Sequence, residues 1–158
     1  MRTLLIGLAI IQAVVIGQED HFNKAVTLGN VNKKRAGFAE LFKVANMNEL
    51  AYDKSLEKFA KLELAKYISC PLPNVITVGN IEMLPNGDFE LYKELLADPG
   101  RTRLAVIKNP CKSDRPTELQ VFISDLNDNV LMLNGEPGSR CPGSRPFVNN
   151  GLCGVRRH

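Results

Sequence analysis

Hydrophobic side chains recur at helical spacing through residues 31–64, in two runs separated by a short linker. The first run consists of Val31, Phe38, Leu41, Phe42 and Val44, and the second of Leu56, Phe59, Ala60, Leu62 and Leu64. This period predicts two amphipathic helices that pack their apolar faces into a core. Asp53 precedes the second helix as a predicted N-cap, because its carboxylate accepts from the first free N–H groups. Residues 19–27 are polar and predict a loosely held lead-in.

A different pattern, rich in β-branched and apolar residues, follows the helical pair. It predicts strands at residues 102–108 and 119–124, a short strand and turn within 74–84, and a third strand at 130–133. Pro71 and Pro73 end the helical pair, and Asp88 caps a third predicted helix that ends at Ala97. Helices followed by strands indicate an α+β fold, with helices against a small, mostly antiparallel sheet.

Both ends of the chain differ in composition from this central part. Residues 4–16 are apolar except for Gln12 and follow a single basic residue, Arg2, which is typical of a secretory signal peptide. The run is short for a membrane span, so we expect cleavage near Gly17 and no span in the mature chain. Residues 134–158 are rich in Gly, Pro, Ser and Asn, a composition that forms no core of its own.

The four cysteines, Cys70, Cys111, Cys141 and Cys153, all follow the predicted signal peptide. An even count in a secreted chain indicates two structural disulfides, for which three pairings exist. We favour Cys70–Cys111, worth about 4 kcal/mol, and Cys141–Cys153, worth about 3 kcal/mol, which would staple the C-terminal segment. A zinc site is the competing use, but no two cysteines have the spacing of a zinc-binding pair.

Charge and residue content exclude several functional classes. The net charge is +3, and +2 without Arg2, which is too low to indicate nucleic-acid binding. The basic clusters 33–35 and 156–157 are interpreted as a solvated helix face and a tail. Only His21 and His158 are present, so no catalytic triad or dyad is predicted. Glu82, Asp88 and Glu90 are close in sequence, and the latter two are interpreted as a helix cap and a solvated first turn.

Three stretches together resemble the CAP superfamily (SCP/TAPS; cysteine-rich secretory proteins, antigen 5, pathogenesis-related 1), most of all its short nematode members. Asn32 and Arg35 lie three residues apart, and the linker 46–53, NMNELAYD, leads into the second helix as in that family. The strands 102–107 and 119–123 are placed like its two central strands. The segments 135–142 and 151–153 are similar to its cysteine-bearing extension.

The resemblance implies an α-β-α sandwich, with an SCP domain at residues 18–133 and a disulfide-stapled extension at 134–158. Many family members hold a divalent metal with two histidines and two acidic residues. Here Val31 takes the place of the first histidine, and no histidine precedes the first central strand. A carboxylate such as Glu82 without imidazole partners makes a poor transition-metal site. We therefore predict no metal, no cofactor and no catalytic residue.

Three hypotheses about function follow. The first is a secreted, non-enzymatic CAP-like protein that recognises another extracellular protein through loops and the C-terminal extension. The second is lipid or sterol carriage, which the resemblance implies because some family members bind such ligands between helices. The third is a small secreted enzyme, or an inhibitor that uses the loop between Cys141 and Cys153. The sequence names no partner.

Overall fold

The computed structural model describes residues 18–67, 75–85, 93, 95–110, 118–127 and 129–156. Two long helices, α1 (Gln18–Phe42) and α2 (Lys54–Leu64), confirm the predicted pair, and residues 95–97 are also helical. The strands are β1 (Ala51–Tyr52), β2 (Ile76–Val78), β3 (Ile81–Pro85), β4 (Arg103–Pro110), β5 (Glu118–Asp125), β6 (Phe147–Asn149) and β7 (Leu152–Gly154). The predicted signal peptide at 1–17, Cys70, Cys111, Asp88 and Glu90 lie outside the described residues.

Five strands form one sheet in the order β1-β4-β5-β3-β2. All neighbouring pairs are antiparallel except β1 and β4, which run parallel over Arg103 and Leu104. The predicted strand and turn within residues 74–84 form the β2–β3 hairpin, and the turn contains Gly79 at φ +59°. A positive φ favours glycine because it has no Cβ to clash with the backbone. The mostly antiparallel sheet is therefore as predicted.

The two helices cover opposite faces of the sheet, which makes the α-β-α sandwich. Successive residues of a strand point to opposite faces. One face packs against α1 with the buried residues Val31, Leu50, Leu84, Leu95, Leu104, Val106 and Phe122. The other packs against α2 with Leu56, Ala60, Leu64, Ile76, Met83, Ala105, Ile107, Val121 and Ile123. Asp53 caps α2 as predicted, since its carboxylate accepts from the Ser55 N–H at 2.8 Å.

The linker between α1 and β1, residues 43–50, is buried from residue 44 onward although it contains no regular element. Side chains of α1 satisfy its backbone. Asn32 donates to the Leu50 carbonyl and accepts from the Leu50 N–H, both at 2.9 Å. The Arg35 guanidinium donates to the carbonyls of Asn48, Leu95 and Asp98. The Asn and Arg that carry the sequence resemblance therefore hold this linker in place.

The C-terminal tail, residues 134–156, contains a second, two-stranded sheet formed by β6 and β7, here called the ribbon. Asn150 at φ +49° and Gly151 at φ +78° make the two-residue turn of the ribbon, the type in which both central residues have positive φ. The predicted Cys141–Cys153 disulfide is present, with a Cα–Cα distance of 5.3 Å. Leu152 packs into a third buried cluster with Ala39, Val44 and Met47. The tail thus lies against the linker.

Four details of the predicted pattern are wrong. The lead-in at 19–27 is the first part of α1, which begins at Gln18. Arg35 is fully buried rather than on a solvated face. Residues 130–133 form no strand, because their backbone bonds to the linker instead. Three residues of the predicted apolar faces, Leu41, Phe42 and Leu62, are exposed.

Candidate recognition surface

Three consecutive apolar residues, Leu131, Met132 and Leu133, lie on the surface in a segment fixed to the linker. The side-chain amide of Asn46 donates to the Leu131 carbonyl at 2.8 Å and accepts from the Leu133 N–H at 2.9 Å. The Leu133 carbonyl accepts from the Ala45 N–H at 2.7 Å. Asn46 itself is buried, so its amide binds the backbone of this segment from the protein interior, while the side chains of residues 131–133 face solvent. Residues 131–133 are called the apolar segment below.

The end of α1 adds further exposed apolar side chains near this segment. Phe42 is 54 % exposed and its ring stacks on Phe38, with the ring centroids 4.4 Å apart. The next residue, Lys43, has φ +52°, and its carbonyl accepts from the Gly135 N–H at 2.8 Å. This contact brings the end of α1 beside the chain that leaves the apolar segment. Contiguous exposed apolar residues of this kind mark interaction sites more often than scattered ones do.

The ribbon is anchored to the linker by its own polar side chains. Arg145 donates to the Glu49 carbonyl at 2.6 Å, and Asn149 donates to the Glu49 carboxylate at 2.9 Å. Burial lowers the pKa of Arg145, against the opposing effect of the Asp125 and Glu49 carboxylates. These contacts and the disulfide immobilise the ribbon without covering its outer side.

The outer strand of the ribbon, β6, is exposed along its whole length. Phe147 is 43 % exposed, and the guanidinium of Arg156 lies over its ring, 5.3 Å from the ring centroid. Val148 is 55 % exposed. An apolar strand with a cation stacked on it is a second surface suited to contact with another molecule.

A buried ion pair joins β3 to the chain just before β4. Arg101, two residues before β4, pairs with the Glu82 carboxylate at 2.6 Å, and both side chains are buried. The Arg101 Nε also lies 3.1 Å from the Asp98 carboxylate. Val31, an expected histidine position, belongs to an apolar cluster. A guanidinium therefore supplies the positive charge against Glu82.

A groove of about 530 Å³ runs between α1, α2 and the edge of β4. Its lining includes Lys24, Lys61, Lys108 and Glu57 beside the apolar Val26, Val106 and Ile107. Glu57 accepts from the Lys24 ammonium at 3.0 Å and from the Tyr52 hydroxyl at 2.6 Å. Burial raises the pKa of Glu57, but the Tyr52 and Lys24 hydrogen bonds outweigh it and lower the pKa overall. The wall of the groove therefore contains both positively and negatively charged side chains.

No group of three or more His, Cys, Asp or Glu side chains that is suited to a metal ion occurs within the described ranges. No helix in the same part of the chain is long and apolar enough to cross a membrane. Of the predicted site residues, Cys141 and Cys153 are joined, and Glu82 is paired with Arg101.

Comparison with solved structures finds a similar fold in the crystal structure of hookworm platelet inhibitor. The TM-score is 0.58 and the sequence identity is 16 %, and the match covers 83 % of this chain and 90 % of that chain. No protein-family model matches the sequence, and no curated protein matches it. At this identity the likeness shows a shared fold and nothing finer.

Two features that shape this surface were not predicted from the sequence. Asn46 lies in the linker motif 46–53, but nothing in its position indicated that its amide would bind residues 131–133. The Asn150–Gly151 pair did carry a signal, because Asn-Gly between apolar residues is typical of a tight hairpin. That signal would have predicted the ribbon.

Proposed function

We propose that this chain is a non-enzymatic CAP-like protein that acts outside the cell by recognising another protein. The observation that carries the proposal is the apolar segment, whose exposed side chains stand on a backbone fixed by Asn46. Preorganised apolar surface raises affinity because little conformational entropy is lost on binding. The similar solved structure is that of hookworm platelet inhibitor, and recognition of a surface is one way in which an inhibitor acts.

Export through a signal peptide at residues 1–17 is part of the proposal. The Cys141–Cys153 disulfide supports it, since disulfides persist in oxidising compartments. The second predicted pair, Cys70–Cys111, and the division into residues 18–133 and 134–158 remain predictions. The contacts of Arg145 and Asn149 with Glu49 indicate that the extension works as one surface with the linker.

We also propose that the CAP cleft of this chain does not take a divalent metal. The support is the Arg101 guanidinium, which is buried against Glu82 at 2.6 Å. A second cation placed there would meet a fixed positive charge at short range, and the repulsion is large in a buried site. The absence of catalytic chemistry is proposed on a different ground, because only His21 and His158 could supply the imidazole base of a triad or dyad.

Lipid or sterol carriage is the weaker alternative. The groove between the helices has a volume within the range of small-molecule sites. An ion pair between Lys24 and Glu57 lies in its wall, however, and Lys61 and Lys108 also line it. A sterol would have to bury much of its apolar surface against these charged groups, which is unfavourable.

Binding of the fluorescently labelled secreted protein to washed platelets tests the proposal, since the neighbour's name makes platelets the first target. A variant with Leu131→Ser, Met132→Ser and Leu133→Ser should bind at least about tenfold more weakly if these residues form the centre of the interface. Leu62→Ser is the matched control, because Leu62 is 71 % exposed on α2 and Leu131 is 77 % exposed.

Two outcomes would contradict the proposal. The first is equal binding by the wild-type chain, the triple variant and the Leu62 control. The second is wild-type binding that survives trypsin treatment of the platelets, because removal of surface proteins leaves only lipid as the target. Lipid carriage is tested by native mass spectrometry of the same preparation, in which a carrier would show a co-purifying lipid at near-stoichiometric amounts.

A further inference from the structure

We infer that the outer edge of β6 is a docking strand, which pairs with an extended, acidic segment of a partner protein. The inference rests on the proposed function and names the kind of partner. Strand addition to an exposed sheet edge is a general mode of peptide recognition, in which backbone hydrogen bonds supply affinity.

The orientation of the backbone of β6 follows from its pairing with β7. Val148 is opposite Cys153 in the antiparallel register. The Cys153 N–H donates to the Met47 carbonyl at 2.7 Å, and its carbonyl accepts from the Glu49 N–H at 2.9 Å. The backbone groups of Cys153 therefore point away from β6. In an antiparallel ladder, two residues directly opposite each other either exchange both backbone hydrogen bonds or both point these groups outward. The N–H and C=O of Val148 therefore point away from β7.

No strand within the described residues lies beyond β6, because the ribbon contains β6 and β7 alone. Proteins commonly protect such edges with charged side chains, bulges or a covering loop. The strand here presents Phe147 and Val148 to solvent instead. Pro146 precedes β6 and has no N–H to donate, so an added strand would be centred on Val148.

The edge is also rigid, which a docking strand needs. The Cys141–Cys153 disulfide closes the loop that contains β6. Gly151, at φ +78°, is packed so closely that an added Cβ would lie 2.8 Å from the Pro137 Cβ. The Asn149 side chain binds the Glu49 carboxylate at 2.9 Å. The strand conformation is thus formed in the free protein, so most of the conformational entropy lost on pairing is that of the partner.

Charge around the edge decides what kind of segment fits. The chain from Arg140 to its end contains no aspartate or glutamate. Arg140 is exposed, and the Arg156 guanidinium lies over the Phe147 ring of β6. An acidic extended segment would complement this charge, whereas pairing of β6 with β6 of a second copy would bring arginines together. Electrostatic complementarity favours the acidic partner and opposes self-association.

Val148→Pro is the variant that tests the pairing directly. It removes the outward N–H, and proline is tolerated on an edge strand where the N–H faces solvent, so no ladder bond of the ribbon is lost. Val148→Thr is the matched control, since it keeps a β-branched side chain and the N–H. Circular dichroism and the urea midpoint of both variants establish that the fold is retained.

The probe is a synthetic capped pentapeptide, Glu-Val-Glu-Val-Glu, compared with its Lys-Val-Lys-Val-Lys counterpart. Amide resonances and hydrogen exchange of the isotopically labelled full chain report where each peptide binds. We expect the acidic peptide to shift the Val148 amide and to slow its exchange about tenfold at saturation. The basic peptide and the Val148→Pro variant with the acidic peptide should each show at least about tenfold weaker binding.

Three results would overturn the inference. One is no perturbation of the Val148 amide by the acidic peptide. Another is equal binding by Val148→Pro and Val148→Thr. The third is a dimer in sedimentation that Val148→Pro abolishes, because a second copy would then occupy the edge. The proposed function is tested separately, by the dependence of platelet binding on residues 131–133.

Discussion

The linker at residues 43–50 and the C-terminal tail at residues 134–156 lie against each other, and neither contains a long regular element. The linker is buried, and its backbone bonds to Asn32 and Arg35 of α1. The tail is mostly exposed, and it is held by the turn of its ribbon and by a disulfide. The linker is therefore fixed by side chains of α1, and the tail by its own turn and disulfide together with its contacts to the linker.

This difference determines whether a substitution changes the stability of the whole domain or only the local structure. A buried linker carbonyl that loses its donor cannot bond to water instead. The free-energy cost of leaving it unsatisfied exceeds the net stabilisation that its hydrogen bond provides on folding. An exposed tail residue that loses its partner can bond to water, so the free-energy cost is smaller. Substitutions beneath the linker should therefore lower the stability of the whole domain, while those in the tail should change local order and binding.

The largest effect is expected for Arg35→Met, which leaves the carbonyls of Asn48, Leu95 and Asp98 without their donor. Burial lowers the pKa of Arg35 to about 9, so the guanidinium is charged at neutral pH. Each buried carbonyl left without a donor costs about 1 to 3 kcal/mol, so the loss in the free energy of unfolding should be at least about 3 kcal/mol. Urea unfolding measures this, with Lys33→Met as the exposed control. A loss close to that of the control would refute the central role of Arg35.

Next in size is the loss of the disulfide in the double variant Cys141→Ser, Cys153→Ser. A loop of this length, with the cysteines 12 residues apart, is worth about 3 kcal/mol. Hydrogen exchange should rise across the tail, because the disulfide is a main restraint there, while amides of β4 and β5 keep most of their protection. Equal increases in the tail and the sheet would show that the tail is not a separate unit of stability.

Asn46→Ala should have a smaller effect at the contact between the two regions. It removes the donor to the Leu131 carbonyl and the acceptor from the Leu133 N–H. Two such hydrogen bonds are worth about 2 kcal/mol in the free energy of unfolding. Asn46→Asp keeps the acceptor but places a carboxylate oxygen against the Leu131 carbonyl in a buried site, so at neutral pH its loss should exceed that of Asn46→Ala. The measurement is urea unfolding with exchange of the Leu133 amide.

Local patterns in the sequence predicted the elements that depend on neighbouring residues alone. Runs rich in apolar and β-branched residues at 102–108 and 119–124 indicated β4 and β5, and Asp53 indicated the start of α2. Cys141–Cys153 was the favoured one of three possible pairings, and it is present. These signals work because the composition of a strand, the cap of a helix and a short covalent loop are local properties.

Features that depend on distant contacts were not predictable. Arg35 is in a basic cluster, and only the carbonyls that converge on it make burial favourable. Residues 130–133 have the composition of a strand, but the Asn46 amide takes the backbone groups that a strand would use. The apolar segment, on which the proposed function rests, is exposed for the same reason. Its side chains are apolar like core residues, and tertiary contacts alone decide their exposure.

The smallest effect at neutral pH is expected for Asp125→Asn. The Asp125 carboxylate accepts from the backbone N–H of Thr102 at 2.9 Å and of Arg103 at 2.7 Å, and an amide oxygen retains these acceptors. The charge interaction with the half-exposed Arg103 is lost, which costs under about 1 kcal/mol. Burial raises the pKa of Asp125, but the hydrogen bonds from Thr102 and Arg103 outweigh it and lower the pKa overall.

A carboxylate with a lowered pKa in the folded state stabilises the protein fully above its unfolded pKa, near 4, and loses this contribution as the pH falls through the folded value. The difference in unfolding free energy between wild type and Asp125→Asn should therefore shrink between about pH 5 and about pH 3. Urea unfolding across this range measures it, with the exposed Glu40→Gln as control. The chain contains no acidic residue from Arg140 onward, so the loss of the Asp125 contribution should weaken the body of the domain, to which Asp125 belongs. A difference that grows on acidification would contradict the assignment of Asp125 as a stabilising carboxylate.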